Sequence, residues 1–430
     1  MFSKKHLLII FALLGWVFDF FDLILYSFLL TPIEHEFGIG DTEAAIVYSL
    51  SLAFTAVGGI ALGFVGDRFG RKPTLILSIT LFSFGTLFSG IAWNLPSLII
   101  FRVVTAFGIG GEWAAGHTLI NETLPRGSKA KASAIIQTGA PIGVAIASLV
   151  GGYVTPYIGW RNSFFLAALP SFILVLLMIP LLEESPKFLI FKEESRDRLP
   201  EDRDLNIPRG SKYVRASTDR ALWQLWQIRG MLVIGTILSL WGMLAYWVIF
   251  SWTPKILSDM GYSEQHIATW MIISQLGAFI GYLSFGLISD VFKRFRLTFI
   301  SYALLFTVGV LIFVGGLSNG NNVVAFSGIF ITGFGTGFFS GYGPLYAALF
   351  PVRVRNTSVS WCFNVGRMGA FVAPILVVFL SSNFSVGIAL SSSAIFSLIL
   401  AFWVLLIPSR VQQSITLSRT KFRSPLPKTV

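Results

Sequence analysis

Twelve long apolar runs constrain the fold of this chain more than any other feature of its sequence. Each run has about the twenty residues that one helix needs to cross the hydrocarbon core of a bilayer, whereas the strands of an outer-membrane barrel alternate over about ten residues. A mean hydropathy of +0.74 with 12% charged residues excludes a soluble globular protein. The runs therefore predict an all-α membrane protein with twelve transmembrane helices, at residues 7–30, 44–65, 74–92, 96–119, 131–154, 162–182, 230–255, 266–289, 297–316, 322–348, 357–380 and 386–408.

The distribution of charge predicts the orientation of these spans. With the N-terminus in the cytoplasm, 28 of the 32 Lys and Arg residues fall in cytoplasmic loops and tails, and the outer loops contain only Arg161 and Lys255. Cytoplasmic loops of membrane proteins are enriched in Lys and Arg. We therefore expect a multi-pass protein of the cell membrane with both termini in the cytoplasm. The net charge of +11 reflects this bias, and we expect no nucleic-acid partner.

The chain divides into two six-helix halves joined by a charged loop. The composition changes abruptly after Leu182, where charged residues, Pro and Gly replace the apolar run. The expected domains are an N-terminal half at 1–182, a cytoplasmic central loop at 183–228, a C-terminal half at 229–409 and a cytoplasmic tail at 410–430. The segment 63–71, GFVGDRFGR, matches the segment 286–294, GLISDVFKR, and each joins the second and third spans of its half. Parallel repeats of this kind are one known plan of transporters.

Three acidic residues lie inside the predicted spans, and we predict that they carry protons: Asp19, Asp22 and Glu112. An ionisable side chain within a membrane span is costly and indicates a functional site. The spacing of Asp19 and Asp22 puts both on one face of the first helix. The alternative is that these acids only join helices through hydrogen bonds.

Two arginines also lie in the spans, and they favour an anionic substrate. Because Arg keeps its charge in proteins, only the acids can adapt to a changing environment. With every acid ionised, these five charges sum to −1, and protonation of an acid offsets the cost of adding an anion. The predicted substrate-binding residues are Arg102, Gln137, Asn364, Arg367, Tyr26 and Tyr346. Alternatives stay open: Arg102 as a structural tie to the first helix, Arg367 as a counter-charge for an acid, and the aromatic residues as helix packing.

A charged turn between the second and third spans, with its repeat in the second half, is predicted to form a conformational latch between the halves. Glycines permit a tight turn there, and opposed charges can pair. We call the following the latch residues: Gly66, Asp67, Arg68, Gly70, Arg71, Asp290 and Arg294. The alternative is an ordinary positively charged cytoplasmic loop.

These segments together resemble the major facilitator superfamily. The latch segment 66–72 is similar to the family signature between helices two and three, and Arg102 with Gly108 resembles its helix-four signature. The segments 19–22, DFFD, and 111–113, GEW, resemble the organic-acid and proton symporters of the sialic acid and aromatic acid branches. The segment 183–187, EESPK, resembles a sugar-porter sequence, which keeps a sugar substrate open. Lys293 replaces the glycine of the first copy, so we expect the second latch to be weaker.

The sequence therefore predicts a proton-coupled symporter that imports a small organic or sugar-acid anion by alternating access. We expect a monomer in the lipid bilayer that is not an enzyme and has neither cofactor nor metal site. Because no phosphate-binding loop is present, the energy should come from an ion gradient. The alternatives are a neutral sugar or polyol carrier of the same fold, a transport-inactive membrane sensor, and an export antiporter.

Overall fold

The computed structural model describes residues 4–124, 132, 135–186, 188–190, 193, 228–292, 294–350 and 355–407. Within these residues, 11 helices are long and apolar enough to cross a membrane. One of them, Ile135–Leu181, has 47 residues, and a helix of that length measures about 70 Å, twice the thickness of a bilayer core. Gly159 interrupts it with φ 80° and ψ 162°, so the run supplies two spans. The prediction of twelve transmembrane helices is confirmed.

The first of two compact units comprises Met1–Arg229. A π-helical turn at Val150–Val154 follows its fifth helix. The helices of its described part are α1 Lys4–Phe37, α2 Asp41–Phe69, α3 Arg71–Ser89, α4 Leu95–Thr123, α5 Gly139–Leu149 and α6 Thr155–Leu181.

The second compact unit comprises Gly230–Val430. It contains the tenth and eleventh spans of the chain, and each of these is made of two helices. A 3₁₀ turn at Thr336–Phe338 interrupts the tenth span, and Arg367 interrupts the eleventh. The helices of its described part are α7 Arg229–Asp259, α8 Glu264–Phe292, α9 Phe295–Ser318, α10 Asn322–Gly335, α11 Phe339–Leu349, α12 Arg355–Gly366, α13 Met368–Asn383 and α14 Val386–Leu405.

The internal repeat reappears in the packing of glycines against neighbouring backbones. A Cβ atom on Gly58 would lie 2.0 Å from the carbonyl oxygen of Phe107, and a Cβ atom on Gly281 would lie 2.2 Å from that of Phe334. Only glycine allows helices to approach this closely. The same correspondence relates Gly85 and Gly309, which face the amides of Thr105 and Thr332, and Gly108 and Gly335, which face the amides of Phe82 and Phe306.

Candidate functional site

The face of α1 that carries Gly15, Asp19 and Asp22 lies against α4. These residues are spaced at i, i+4 and i+7, so they share one helical face over about 10 Å. Asp22 contacts Arg102, whereas Gly15 contacts Glu112, ten residues further along α4, so the two helices are antiparallel. Asp19, Asp22 and Glu112, the three acids predicted to carry protons, are all buried in the first unit.

Asp22 and Arg102 form a buried ion pair at one end of this face. The Nη1 and Nη2 atoms of Arg102 donate to Oδ1 and Oδ2 of Asp22 at 3.1 and 2.8 Å. The hydroxyl group of Thr86 on α3 donates to Oδ1 at 2.6 Å. The Arg102 guanidinium group also lies 4.6 Å from the ring centroid of Tyr26 and 5.7 Å from that of Phe164. These contacts match the structural alternatives for Arg102 and Tyr26, and their roles in substrate binding stay predictions.

Glu112 places its carboxyl group directly over Gly15. A Cβ atom on Gly15 would lie 2.3 Å from Oε1 of Glu112. Glu112 itself is only 2% exposed. Asp19 follows Gly15 by one helical turn, so Glu112 and Asp22 lie on either side of Asp19 along α1. The three acids therefore follow one another along α1 in the order Asp22, Asp19 and Glu112.

The second unit has no equivalent of this charged face among its described residues. Gly143 packs on Val17 and Phe21 of α1 as Gly369 packs on Leu240 and Leu244 of α7, which fixes the correspondence of the two helices. The repeat also relates α4 to α10 and α11. By these two correspondences, the second unit has apolar residues where the first has charges. The residues equivalent to Asp19, Asp22, Arg102 and Glu112 are Gly242, Ala245, Ile329 and Phe339. The candidate proton site therefore belongs to the first unit.

The predicted substrate residues of the second unit have mixed surroundings. Tyr346 is buried, and its hydroxyl group donates to the carbonyl oxygen of Gly235 at 2.9 Å and contacts Ser239. That contact matches helix packing. Arg367 and Asn364 are half-buried, and the guanidinium group of Arg367 lies 5.3 Å from the ring centroid of Phe363. In the first unit, Gln137 is likewise half-buried.

The latch residues of the first unit join several elements at the α2–α3 turn. Gly70 has φ 115°, a backbone conformation that favours glycine. The guanidinium group of Arg71 donates to the carbonyl oxygen of Gly66 at 2.8 Å and pairs with Glu122 at the end of α4. Glu184, from the segment after α6, accepts the amide of Arg71 at 3.0 Å.

The other latch residues are described less fully. Arg68 is exposed and lies 5.4 Å from the ring centroid of Phe69, and Arg294 is also exposed. The side chains of Asp67 and Asp290 lie outside the described part of the structure. The prediction of a latch between the two halves therefore stays a prediction.

A second charged cluster lies at the C-terminal end of α1. Arg161, at the start of α6, pairs with Glu36 at 2.6 Å and donates to the carbonyl oxygens of Gly90 and Ala92 after α3. The indole of Trp160 also donates to Glu36 at 2.6 Å. This cluster ties three helix ends of the first unit together.

Several residues of these sites were not predicted from the sequence. Thr86 and Gly15 belong to residue types that are common in membrane helices, so neither carried a distinguishing signal. Glu122 lies in the last turn of α4, and only its contact with Arg71 distinguishes it from an ordinary charged residue at a helix end. Glu184 was noticed only for its resemblance to a sugar-porter segment. Among the described residues, no group of His, Cys, Asp and Glu could hold a metal ion.

Comparison with known proteins places these features in a family. The Major Facilitator Superfamily model matches residues 11–361. The sialic acid transporter NanX of Escherichia coli (strain K12) is 29% identical over 399 residues, which cover 92% of this chain and 91% of that protein. The cis,cis-muconate transport protein of Acinetobacter baylyi is 27% identical over 382 residues, 88% of each chain. The 4-hydroxybenzoate transporter PcaK of the same organism is 28% identical over 392 residues, 87% of this chain and 84% of that one.

A solved structure agrees with this family at the level of the fold. The D-xylose-proton symporter superimposes with a TM-score of 0.76 over 95% of this chain and 99% of its own. The two sequences are 17% identical. The similarity therefore concerns the arrangement of the backbone and does not extend to the substrate.

Proposed function

The chain belongs to the major facilitator superfamily, and from that premise we propose that it is a proton-coupled symporter that imports a small organic or sugar-acid anion. The family and the relatives compared are transporters, and the chain is a multi-pass membrane protein rather than an enzyme. We further propose that it works as a monomer in the cell membrane with both termini in the cytoplasm.

The buried face formed by α1 and α4 is the observation that carries the proposal. Within the spans of the first unit, the sequence contains three acids and one arginine, Arg102. Arg102 pairs with Asp22, and Asp19 and Glu112 are buried as well. Burying an ionised carboxyl group is expensive, and protonation lowers that cost. The excess of buried acids over arginine supports the proposal that these acids take up protons.

Two further observations support the proposed class of substrate. The relatives are named for sialic acid, cis,cis-muconate and 4-hydroxybenzoate, which are all organic acids. Arg367 lies half-buried at the break of the eleventh span, where its planar fork of donors suits a carboxylate. We propose that Arg367 binds the carboxylate of the substrate and that Asn364, in the same unit, is available to its hydroxyl groups. Gln137 in the first unit stays a proposed substrate residue, while the contacts of Tyr26 with Arg102 and of Tyr346 with Gly235 match packing roles within their own units.

Transport by the purified protein in proteoliposomes tests the proposal. The probes are sialic acid, cis,cis-muconate and 4-hydroxybenzoate, with D-xylose as a neutral control, and a pH-sensitive dye reports proton entry. We expect an imposed inward proton gradient to drive accumulation of at least one acid, with simultaneous proton entry. Counterflow of the same acid without a gradient measures binding and translocation separately.

A variant with the three acids changed to amides is the matched control: Asp19→Asn, Asp22→Asn and Glu112→Gln. This variant should no longer accumulate the acid under a proton gradient. The proposal would be overturned if the unmodified protein moved an acid without proton flux and this variant moved it equally well. Uptake of D-xylose that ignores the gradient would favour a neutral sugar carrier instead, and absence of counterflow for every probe would favour a sensor.

A further inference from the structure

We propose that Gly15 is a positioning residue for proton coupling, because its missing side chain leaves the space on α1 that the carboxyl group of Glu112 occupies. This inference rests on the proposed function, since it concerns one of the acids assigned there to proton transfer. It adds a residue that itself has no titratable group. The role is to hold the carboxyl group of Glu112 beside the face of α1 that carries Asp19 and Asp22.

The space above Gly15 is filled by one side chain. A Cβ atom on Gly15 would lie 2.3 Å from Oε1, 3.0 Å from Cδ and 3.4 Å from Cγ of Glu112, and these are its three nearest neighbours. Ordinary contacts of a Cβ atom begin near 3.4 Å. A methyl group at this position would therefore displace Oε1 by about 1 Å, and a misplacement of that size impairs a positioned group.

The surroundings of Gly15 differ from those of the glycines that bring helices together. At Gly58, an added methyl group would meet the backbone of Phe107, and the helices would have to separate. At Gly15, the obstacle is the end of a flexible side chain. Alanine also favours a helix over glycine by about 1 kcal/mol. Gly15→Ala is therefore expected to move one carboxyl group within an intact fold.

Gly116 provides a matched control on the other side of the same carboxyl group. It follows Glu112 by one turn of α4, and a Cβ atom there would lie 3.7 Å from Oε1 of Glu112 and 3.8 Å from the Cβ atom of Ala12. Both are ordinary van der Waals distances. Gly116→Ala thus adds the same methyl group next to the same acid without crowding it.

The test compares these variants in proteoliposomes with sialic acid, cis,cis-muconate and 4-hydroxybenzoate as probes. We expect Gly15→Ala to accumulate about tenfold less of the transported acid under a proton gradient, a typical coupling effect between two sites. Counterflow without a gradient should stay within about twofold of the unmodified protein, because binding and translocation do not depend on this carboxyl position. Gly116→Ala should match the unmodified protein in both measurements.

A rescue variant separates positioning from a general defect. Glu112→Asp shortens the acid by one methylene group and should lower accumulation when Gly15 is present. In the double variant Gly15→Ala with Glu112→Asp, the shorter side chain leaves room for the methyl group, so accumulation should exceed that of either single variant. Such non-additivity is expected only for residues in contact.

The outcomes distinguish this inference from the proposed function. Proton-coupled transport by the unmodified protein, with unchanged accumulation in Gly15→Ala, would overturn the role of Gly15 alone. So would single-variant losses that simply multiply in the double variant. Acid transport by the unmodified protein without proton movement would overturn the proposed function, and the role of Gly15 with it.

Discussion

Asp22 illustrates how a single residue can carry charge inside a membrane span. Arg102 and Thr86 direct three hydrogen bonds to its two carboxylate oxygens, and the aromatic rings of Tyr26 and Phe164 lie near the guanidinium group. A buried pair of this kind contributes little net stability, but removal of one partner leaves the other charge uncompensated. Folding therefore constrains the same residue to which the proposed function assigns a part in transport.

Neutralising Asp22 should destabilise the protein, and neutralising its partner as well should restore much of the loss. We expect Asp22→Asn to cost about 3–5 kcal/mol, the usual effect of breaking a buried ion pair. The double variant Asp22→Asn with Arg102→Met should recover more than half of that loss. Thermal unfolding in detergent measures both effects. Equal instability of the single and double variants would show that charge balance is not the cause.

Arg367 allows a test of substrate recognition at the same scale. Lysine keeps the charge but lacks the planar fork that binds both oxygens of a carboxylate. We expect Arg367→Lys to weaken binding of 4-hydroxybenzoate about tenfold, the value of one charge-assisted hydrogen bond. Binding of 4-hydroxybenzamide should change less than twofold, because this compound has no carboxylate to accept the charge-assisted hydrogen bond. Equal losses for both compounds, measured by competition in counterflow, would indicate a structural arginine.

The sequence predicted the acids of the site and Arg102, but it did not predict Thr86 or Gly15. Asp19, Asp22 and Glu112 could be identified because an acid in an apolar run is rare and costly. Thr86 could not, because a hydroxyl group in a membrane helix usually bonds its own backbone. Gly15 could not either, since its role depends on which side chain of α4 lies opposite, and the order of residues along the chain does not specify that pairing.

At the scale of helices, the first unit and the second use the same glycines for close packing. Gly58 and Gly281 face backbone carbonyl oxygens, whereas Gly63 and Gly286, five residues later in each helix, have no atom within 4 Å of an added Cβ. This difference separates glycines that packing requires from glycines that it does not. The distinction is identical in the two halves.

Alanine substitutions at these four positions should therefore fall into two classes. Gly58→Ala and Gly281→Ala should each lower stability by about 1–3 kcal/mol, as overpacking usually does. Gly63→Ala and Gly286→Ala should leave stability unchanged or raise it by up to about 1 kcal/mol, because alanine is the better helix former. Melting temperatures in detergent distinguish the classes. A loss at Gly63 as large as that at Gly58 would contradict the packing described.

Glu184 stabilises α3 from a distance in sequence. Its carboxylate accepts the amides of Arg71 and Lys72 in the first turn of that helix, where a negative charge is favourable. We expect Glu184→Ala to cost about 0.5–2 kcal/mol, the usual value of a helix cap. Glu183→Ala, at the exposed neighbouring residue, is the control and should have a smaller effect. Equal changes in melting temperature would argue against capping.

Hydropathy predicted one helix break and missed others. The gap predicted between the fifth and sixth spans contains Gly159, which interrupts the helical stretch Ile135–Leu181. The π-helical turn at Val150–Val154 and the interruption at Arg367 both fall inside predicted spans. Hydropathy records the length of an apolar run but not the backbone angles within it.

At the scale of the whole molecule, the orientation proposed from the positive charges of the loops can be tested directly. The single cysteine, Cys362, can be replaced by serine to give a background without thiols. Asn319→Cys, in the turn after α9, should then react with a membrane-impermeant maleimide in intact cells. Arg294→Cys, in the turn before α9, should react only after permeabilisation. The reverse pattern would place the termini outside the cell.

The repeated glycine contacts, combined with a charged face of α1 and α4 that the described residues of the second copy do not repeat, have a consequence for the evolution of the molecule. Together with the proposed function, they indicate a duplicated gene in which the first copy provides proton coupling and the second provides substrate recognition. Chimeras that keep residues 1–229 and recombine the remainder with related carriers should then change what is carried while conserving how the work is driven.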